Sequence, residues 1–201
     1  MKLFYAPGAC SLSPHIALRE AGLPFSLEKV DLKSKKTADG HAYGEVNGKG
    51  YVPALKLDDG HVLTEGPAIV QYISDQKPEL GLAPKAGTME RYRLQEWLNF
   101  ISSELHKSIG SMFNPDLPKD ARDITIARLT QRLDWLAKEM AHKTYAMGEH
   151  FTVADGYLFT VLSWCKHVGV ELSKWPALSG YVERVAQRPK VQEALKAEGL
   201  I

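Results

Sequence analysis

Cys10 stands in the run Ala6-Pro7-Gly8-Ala9-Cys10-Ser11, between a short apolar strand signal and the start of a helical stretch. A thiol at a helix N-terminus faces unpaired N–H groups and the positive end of the dipole, and both favour the thiolate. Such a group attacks disulfides; a small packed hydrophobe is the other reading of a lone cysteine. Cys165, beside Trp164 in an apolar stretch, is expected only to pack. Pro7 occupies the position three before Cys10, so no Cys-x-x-Cys pair is present.

Three further constellations can do chemistry. Pro53, after Val52, opens a core strand without a ladder donor, which marks a special backbone site. Thr64-Glu65-Gly66-Pro67 opens a helix, with Pro67 suited to the first turn. Its N–H groups can hold a carboxylate and Glu65 an ammonium, which together fit an α-amino acid end. A plain helix cap with an exposed glutamate accounts for the same residues. At about 100° per residue, Leu94, Leu98, Ile101 and Leu105 share one helix face, with Asn99, Ser103 and His106 roughly opposite. That polar stripe, flanked by Glu104 and Lys107, is either a solvated face or the wall of a site. Thr152-Val153-Ala154-Asp155 is a capping box ahead of an apolar helix. Lys33, Lys35 and Lys36 form a small basic run in a polar loop. Zinc spacing, a P-loop and GxGxxG are all absent.

These residues need elements to hold them. Strand signals at 2–5 and 25–32 flank a helix at 14–21 that Gly22 stops. Residues 33–50 read as a loop or short irregular helix. Strands at 52–57 and 61–64 surround the turn Asp58-Asp59-Gly60, and a helix follows Gly66 with Ala68, Ile69, Tyr72 and Ile73 on one face. Beyond a Pro/Gly stretch at 78–88 only helical periodicity remains, at 94–105, 126–140, 151–168, 176–188 and 191–198. The expected organisation is an α/β domain over 1–80 and an all-α domain over 81–201.

Composition narrows the class. The 201 residues carry 25 basic and 24 acidic side chains, for a net charge of +1. No basic footprint for nucleic acid is present, and no apolar run approaches the ~18 residues a membrane span needs. Hydrophobic residues at 44% and charged residues at 24% fit a globular chain and exclude disorder. Two distant cysteines do not form a disulfide framework. With a poor signal-peptide pattern at the start, the expected location is cytoplasmic, with reduced thiols.

Taken together, MKLFYAPGACSLSPHIALRE, VNGKGYVPALKLDDG, LTEGPAIVQYI, WLNFISSELHK, FTVADGYLFTVL and RPKVQEALKAEGL run the length of the chain. In this register they resemble the bacterial beta class of glutathione S-transferases. The resemblance implies a thioredoxin-like N-terminal domain binding glutathione, a helical domain lining the electrophile site, and a homodimer without metal. Cys10 would face the glutathione sulfur, with His106 on its other side. Val52, before a cis Pro53, would pair its backbone with the cysteinyl part. Lys35 would meet the glycine carboxylate, Glu65 and Gly66 the γ-glutamyl end, and Asn99, Ser103 and Glu104 would line the site. Two departures stand out. Gly48 replaces the proline of VNPKG, implying a more mobile loop, and Pro67 replaces a serine, removing a hydroxyl and an N–H. The implied activity is conjugation of glutathione thiolate to electrophilic aromatic or halogenated molecules, as in detoxification, with a Cys10–glutathione mixed disulfide as a second capability. Its rivals are a glutaredoxin-like thiol–disulfide oxidoreductase and a non-enzymatic carrier or partner-binding module.

Overall fold

The computed structural model describes residues 1–201, which divide into two compact units. The first comprises Met1–Ala83 and Arg188–Ile201, the second Pro84–Gln187.

In the first unit, β1 (Lys2–Tyr5) leads through the Cys10 loop to α1 (Leu12–Glu20), followed by β2 (Ser26–Asp31) and a short β3 (Lys36–Thr37). The hairpin β4 (Ala54–Lys56) and β5 (Val62–Thr64) precedes α2 (Gly66–Asp75). The sheet order is β3-β2-β1-β4-β5. Only β1 and β2 run parallel, Leu3 opposite Leu27, and their crossover is α1. The Asp-Asp-Gly turn forms as expected: Gly60 takes φ +91° and the Leu57 N–H donates to the His61 carbonyl. The expected loop at 33–50 contains β3 and a 3-10 turn at Tyr43–Glu45. On α2 the inward face is Ile69, Val70 and Ile73, while Ala68 is exposed, so the phase differs from that expected.

The last helix, α8 (Pro189–Ala197), corrects the boundary drawn at 81–201. Arg188 grips the Glu20 carboxylate with two nitrogens, at 2.8 and 2.9 Å. His15 and Glu198, with fully buried side chains, meet at 2.8 Å. The Arg19 Nε–H donates to His15 Nε2 at 2.9 Å. Arginine accepts no hydrogen bond, so the His15 proton sits on Nδ1 and is donated to Glu198. These contacts tie 188–201 to α1.

The second unit is helical. A continuous helix runs as α3 (Met89–Phe100), a π segment (Ile101–His106) and α4 (Lys107–Ser111). It buries the predicted Leu94, Leu98, Ile101 and Leu105. Next come α5 (Lys119–Met140), α6 (Val153–Ser163) and α7 (Pro176–Ala186). Every residue of α6 from Val153 to Leu162 is buried, as its all-round apolarity requires. This helix ends earlier than expected, and Cys165 lies in the 3-10 turn Cys165–Val168 that follows.

Candidate active site

Cys10 precedes α1 in a loop held from both ends. Ser11 Oγ accepts the Ala6 N–H at 3.1 Å and donates to the Ala6 carbonyl at 3.2 Å. The Gly8 N–H donates to Glu198 at 2.9 Å. The half-buried Cys10 thiol donates to the Val52 carbonyl at 3.2 Å. Val52 is buried, and the Val52-Pro53 bond is cis, as the resemblance implied. Thiol and strand entrance therefore meet.

The loop before Val52 is tied by Asn47, which is buried. Its Nδ2 donates to the Tyr51 carbonyl at 2.7 Å, and its Oδ1 accepts the Lys49 N–H at 3.1 Å. Tyr43 OH donates to the same Tyr51 carbonyl at 3.1 Å, and burial pushes this phenol up to about 12. These bonds hold the turn at Gly48. Lys35 Nζ, exposed, donates to the Gly50 carbonyl at 2.8 Å. Glu65 Oε1 accepts from Lys49 Nζ at 2.5 Å and from Tyr51 OH at 2.8 Å. Each bond favours the proton on its donor, so the Lys49 ammonium and the Tyr51 phenol are both raised. Ala68 and Ile69 donate to the Glu65 carbonyl and Pro67 has no N–H, so of the amides that open α2 the Gly66 N–H is the one not committed to that carbonyl.

Lys35 (φ +57°) and Glu65 (φ +69°) are the only residues besides glycine with a left-handed backbone. Each such conformation costs about 1–3 kcal/mol and persists where the surroundings impose it, commonly at functional sites.

In the second unit Asn99 and Ser103 of the polar stripe bond back to their own helix, while its charged and aromatic neighbours reach α5 and α6. Asn99 donates to the Gln95 carbonyl and Ser103 to the Asn99 carbonyl, both at 2.9 Å, while Glu104 pairs with Arg132 Nε at 2.7 Å. His106 closes the π segment, and such bulges recur at functional positions. Its Nδ1 lies 2.6 Å from Tyr157 OH, and its ring meets Trp164 edge-on at 4.9 Å. Lys49, Tyr51, Tyr157 and Trp164 are absent from the sequence-derived site. Lys49 and Tyr51 stand just before the Val52-Pro53 signal in the sequence; Tyr157, 51 positions from His106, leaves no local trace. Cys165 is fully buried, and its thiol is pushed up to about 12 by that burial. No cluster of three or more His, Cys, Asp or Glu side chains could hold a metal. No helix is long and apolar enough to cross a membrane.

Residues 8–76 match the glutathione S-transferase N-terminal domain and 100–189 the C-terminal domain of that family. A glutathione S-transferase GstA of Escherichia coli O157:H7 is 46% identical over 200 residues, covering both chains completely. The chain belongs to the glutathione S-transferase family. Two solved structures refine the placement of this transferase. A bacterial beta-class enzyme from Sphingomonas chungbukensis superposes with a TM-score of 0.96 at 50% identity, and a sphingomonad transferase complexed with glutathione does so with 0.96 at 48%, each chain covered in full. The transferase is of the bacterial beta class. Its fold is the thioredoxin-like sheet domain plus helical domain that the resemblance implied.

Proposed function

We propose that this transferase binds glutathione at the Cys10–Val52 corner and transfers its sulfur to an aromatic or halogenated electrophile. The observation that carries the reading is the 3.2 Å contact between the Cys10 thiol and the Val52 carbonyl. It sets a nucleophilic sulfur beside the backbone on which the cysteinyl part of a tripeptide would pair. Lys35 receives the glycine carboxylate; Glu65 and the Gly66 amide receive the γ-glutamyl end. In conjugation the thiolate forms the new C–S bond, a halide leaves with the C–halogen electron pair, and the thiol proton goes to solvent. With oxidised glutathione, the Cys10 thiolate attacks one sulfur and expels the other half as glutathione thiolate, leaving a mixed disulfide.

The test is conjugation of a chlorodinitrobenzene set against reduction of a small mixed disulfide, both with glutathione. Conjugation saturable in glutathione, with one chloride released per product, is expected. Disulfide reduction that requires Cys10, without conjugation, would make the chain a glutaredoxin-like oxidoreductase. Glutathione binding with neither turnover would make it a carrier.

The helix carrying Trp97 and Glu104 is proposed to form a two-fold interface. Sedimentation near twice the 22.3 kDa chain mass is expected, and a monomer at micromolar concentration would refute it.

A further inference from the structure

We propose that Lys49 is an internal competitor for the α-ammonium of glutathione: its own ammonium occupies Glu65, and the tripeptide binds by taking that carboxylate over. Glu65 keeps the part it has in the glutathione reading, on which this inference rests.

The contact lies at the entrance to α2. Lys49 Nζ donates to Glu65 Oε1 at 2.5 Å and to Thr64 Oγ1 at 3.0 Å. Tyr51 OH donates to the same Glu65 oxygen at 2.8 Å. A phenol leaves the carboxylate its negative charge, so Tyr51 can stay when a ligand cation arrives. An ammonium neutralises that charge, and a second ammonium beside it meets like-charge repulsion. Lys49 and the α-ammonium therefore compete, whereas Tyr51 and the ligand do not.

The same loop answers the other charged group of the proposed site. The Gly50 carbonyl accepts from Lys35 Nζ at 2.8 Å. A neutral carbonyl there gives way to the glycine carboxylate, because an ionised acceptor forms the stronger bond. At Glu65 one ammonium replaces another, so the competition is felt at that end.

Little opposes the withdrawal of Lys49. It stands between Gly48 and Gly50, where an added Cβ would meet nothing within 4 Å, so the turn borders open space. The Lys49 and Glu65 side chains are 47% and 52% exposed, and a pair in that setting contributes little. The freed ammonium returns to water on a flexible stem. The base of the loop stays fixed, because buried Asn47 remains bonded to the Tyr51 carbonyl. These features set the competition at a few-fold in affinity.

Pulse acylation with acetic anhydride, read by peptide mass spectrometry on the native enzyme, reports each lysine amine. The bond to Glu65 holds the Lys49 ammonium above its ordinary range, which slows acylation. Saturating S-methylglutathione, which forms no disulfide, should speed acylation of Lys49 by about three- to tenfold, with Lys56 as an unchanged reference. Slower acylation would place Lys49 on the ligand, and an unchanged rate would leave it on Glu65; either would overturn the proposal. Calorimetry supplies a second arm. K49M should bind glutathione about two- to fourfold tighter than wild type, and should bind glutaryl-cysteinyl-glycine, which lacks the α-ammonium, no tighter. Unchanged or weaker glutathione binding in K49M, or equal tightening towards both tripeptides, would contradict the exchange. Wild-type enzyme that binds neither tripeptide would overturn the glutathione reading and this inference together, a result distinct from the others.

Discussion

The Cys10 thiol and the Val52 carbonyl are 42 positions apart in the chain and 3.2 Å apart in space. Parallel pairing of β1 with β2 and antiparallel pairing of β1 with β4 bring the loop after β1 beside the entrance to β4. A tripeptide lying along that entrance would bring its own sulfur to Cys10.

Glu65 is assigned to the ligand, although Lys49 and Tyr51 already use one of its oxygens. Glu65→Gln should raise the KM for glutathione by about 10–100-fold, the scale of a charged hydrogen bond, with kcat within about threefold. Lys49→Met should change KM by less than about fivefold, because an exposed ion pair contributes little. Steady-state kinetics decide. A rise in Lys49→Met as large as in Glu65→Gln would assign Glu65 to the loop and not to glutathione.

Asp155 does more than cap α6. One oxygen accepts the Thr152 N–H and hydroxyl, at 2.8 and 3.0 Å; the other accepts the Ala146 N–H at 2.7 Å and Tyr181 OH at 2.9 Å. Asp155→Ala strands buried donors as well as a helix end, for a cost of about 3 kcal/mol. The expected result is a Tm lower by roughly 10 °C with glutathione KM retained. An unchanged Tm would remove the assignment.

Much of this frame was legible locally. Leu94, Leu98, Ile101 and Leu105 repeat at three and four, the Asp-Asp-Gly turn demands a hairpin, and Thr152 with Asp155 spells a cap. Three things were not. The π segment at Ile101–His106 adds a residue per turn, so a uniform 100° projection cannot place His106. The docking of the last helix depends on His15 and Glu198, 183 positions apart, and such a pair leaves no periodic trace. The inward face of α2 shifted from Ala68 and Tyr72 towards Val70 because the sheet, and not the apolar count, decides which side is covered.

Two buried acids make the fold sensitive to base. Burial pushes the Cys165 thiol from an ordinary 9.0 and the Tyr43 phenol from 10.0 up to about 12 each. The folded chain holds these protons where the unfolded chain releases them. Their stabilisation is thus complete below the unfolded values and declines as pH rises towards about 12, by about 1.4 kcal/mol per pH unit for each group. Urea midpoints should fall between pH 9 and 11, less steeply in Cys165→Ala. Equal midpoints at pH 8 and 11 would contradict the assignment.

The central claim is that Cys10 faces bound glutathione while Cys165 stays sealed. The most direct measurement treats the native enzyme with oxidised glutathione and maps its peptides by mass spectrometry. One glutathione per chain, on the peptide containing Cys10 and removable by a reductant, is the result predicted from an accessible thiol at a helix start and a buried one elsewhere. Addition mainly at Cys165, or none to the native protein, would leave Cys10 a packing residue and contradict the account.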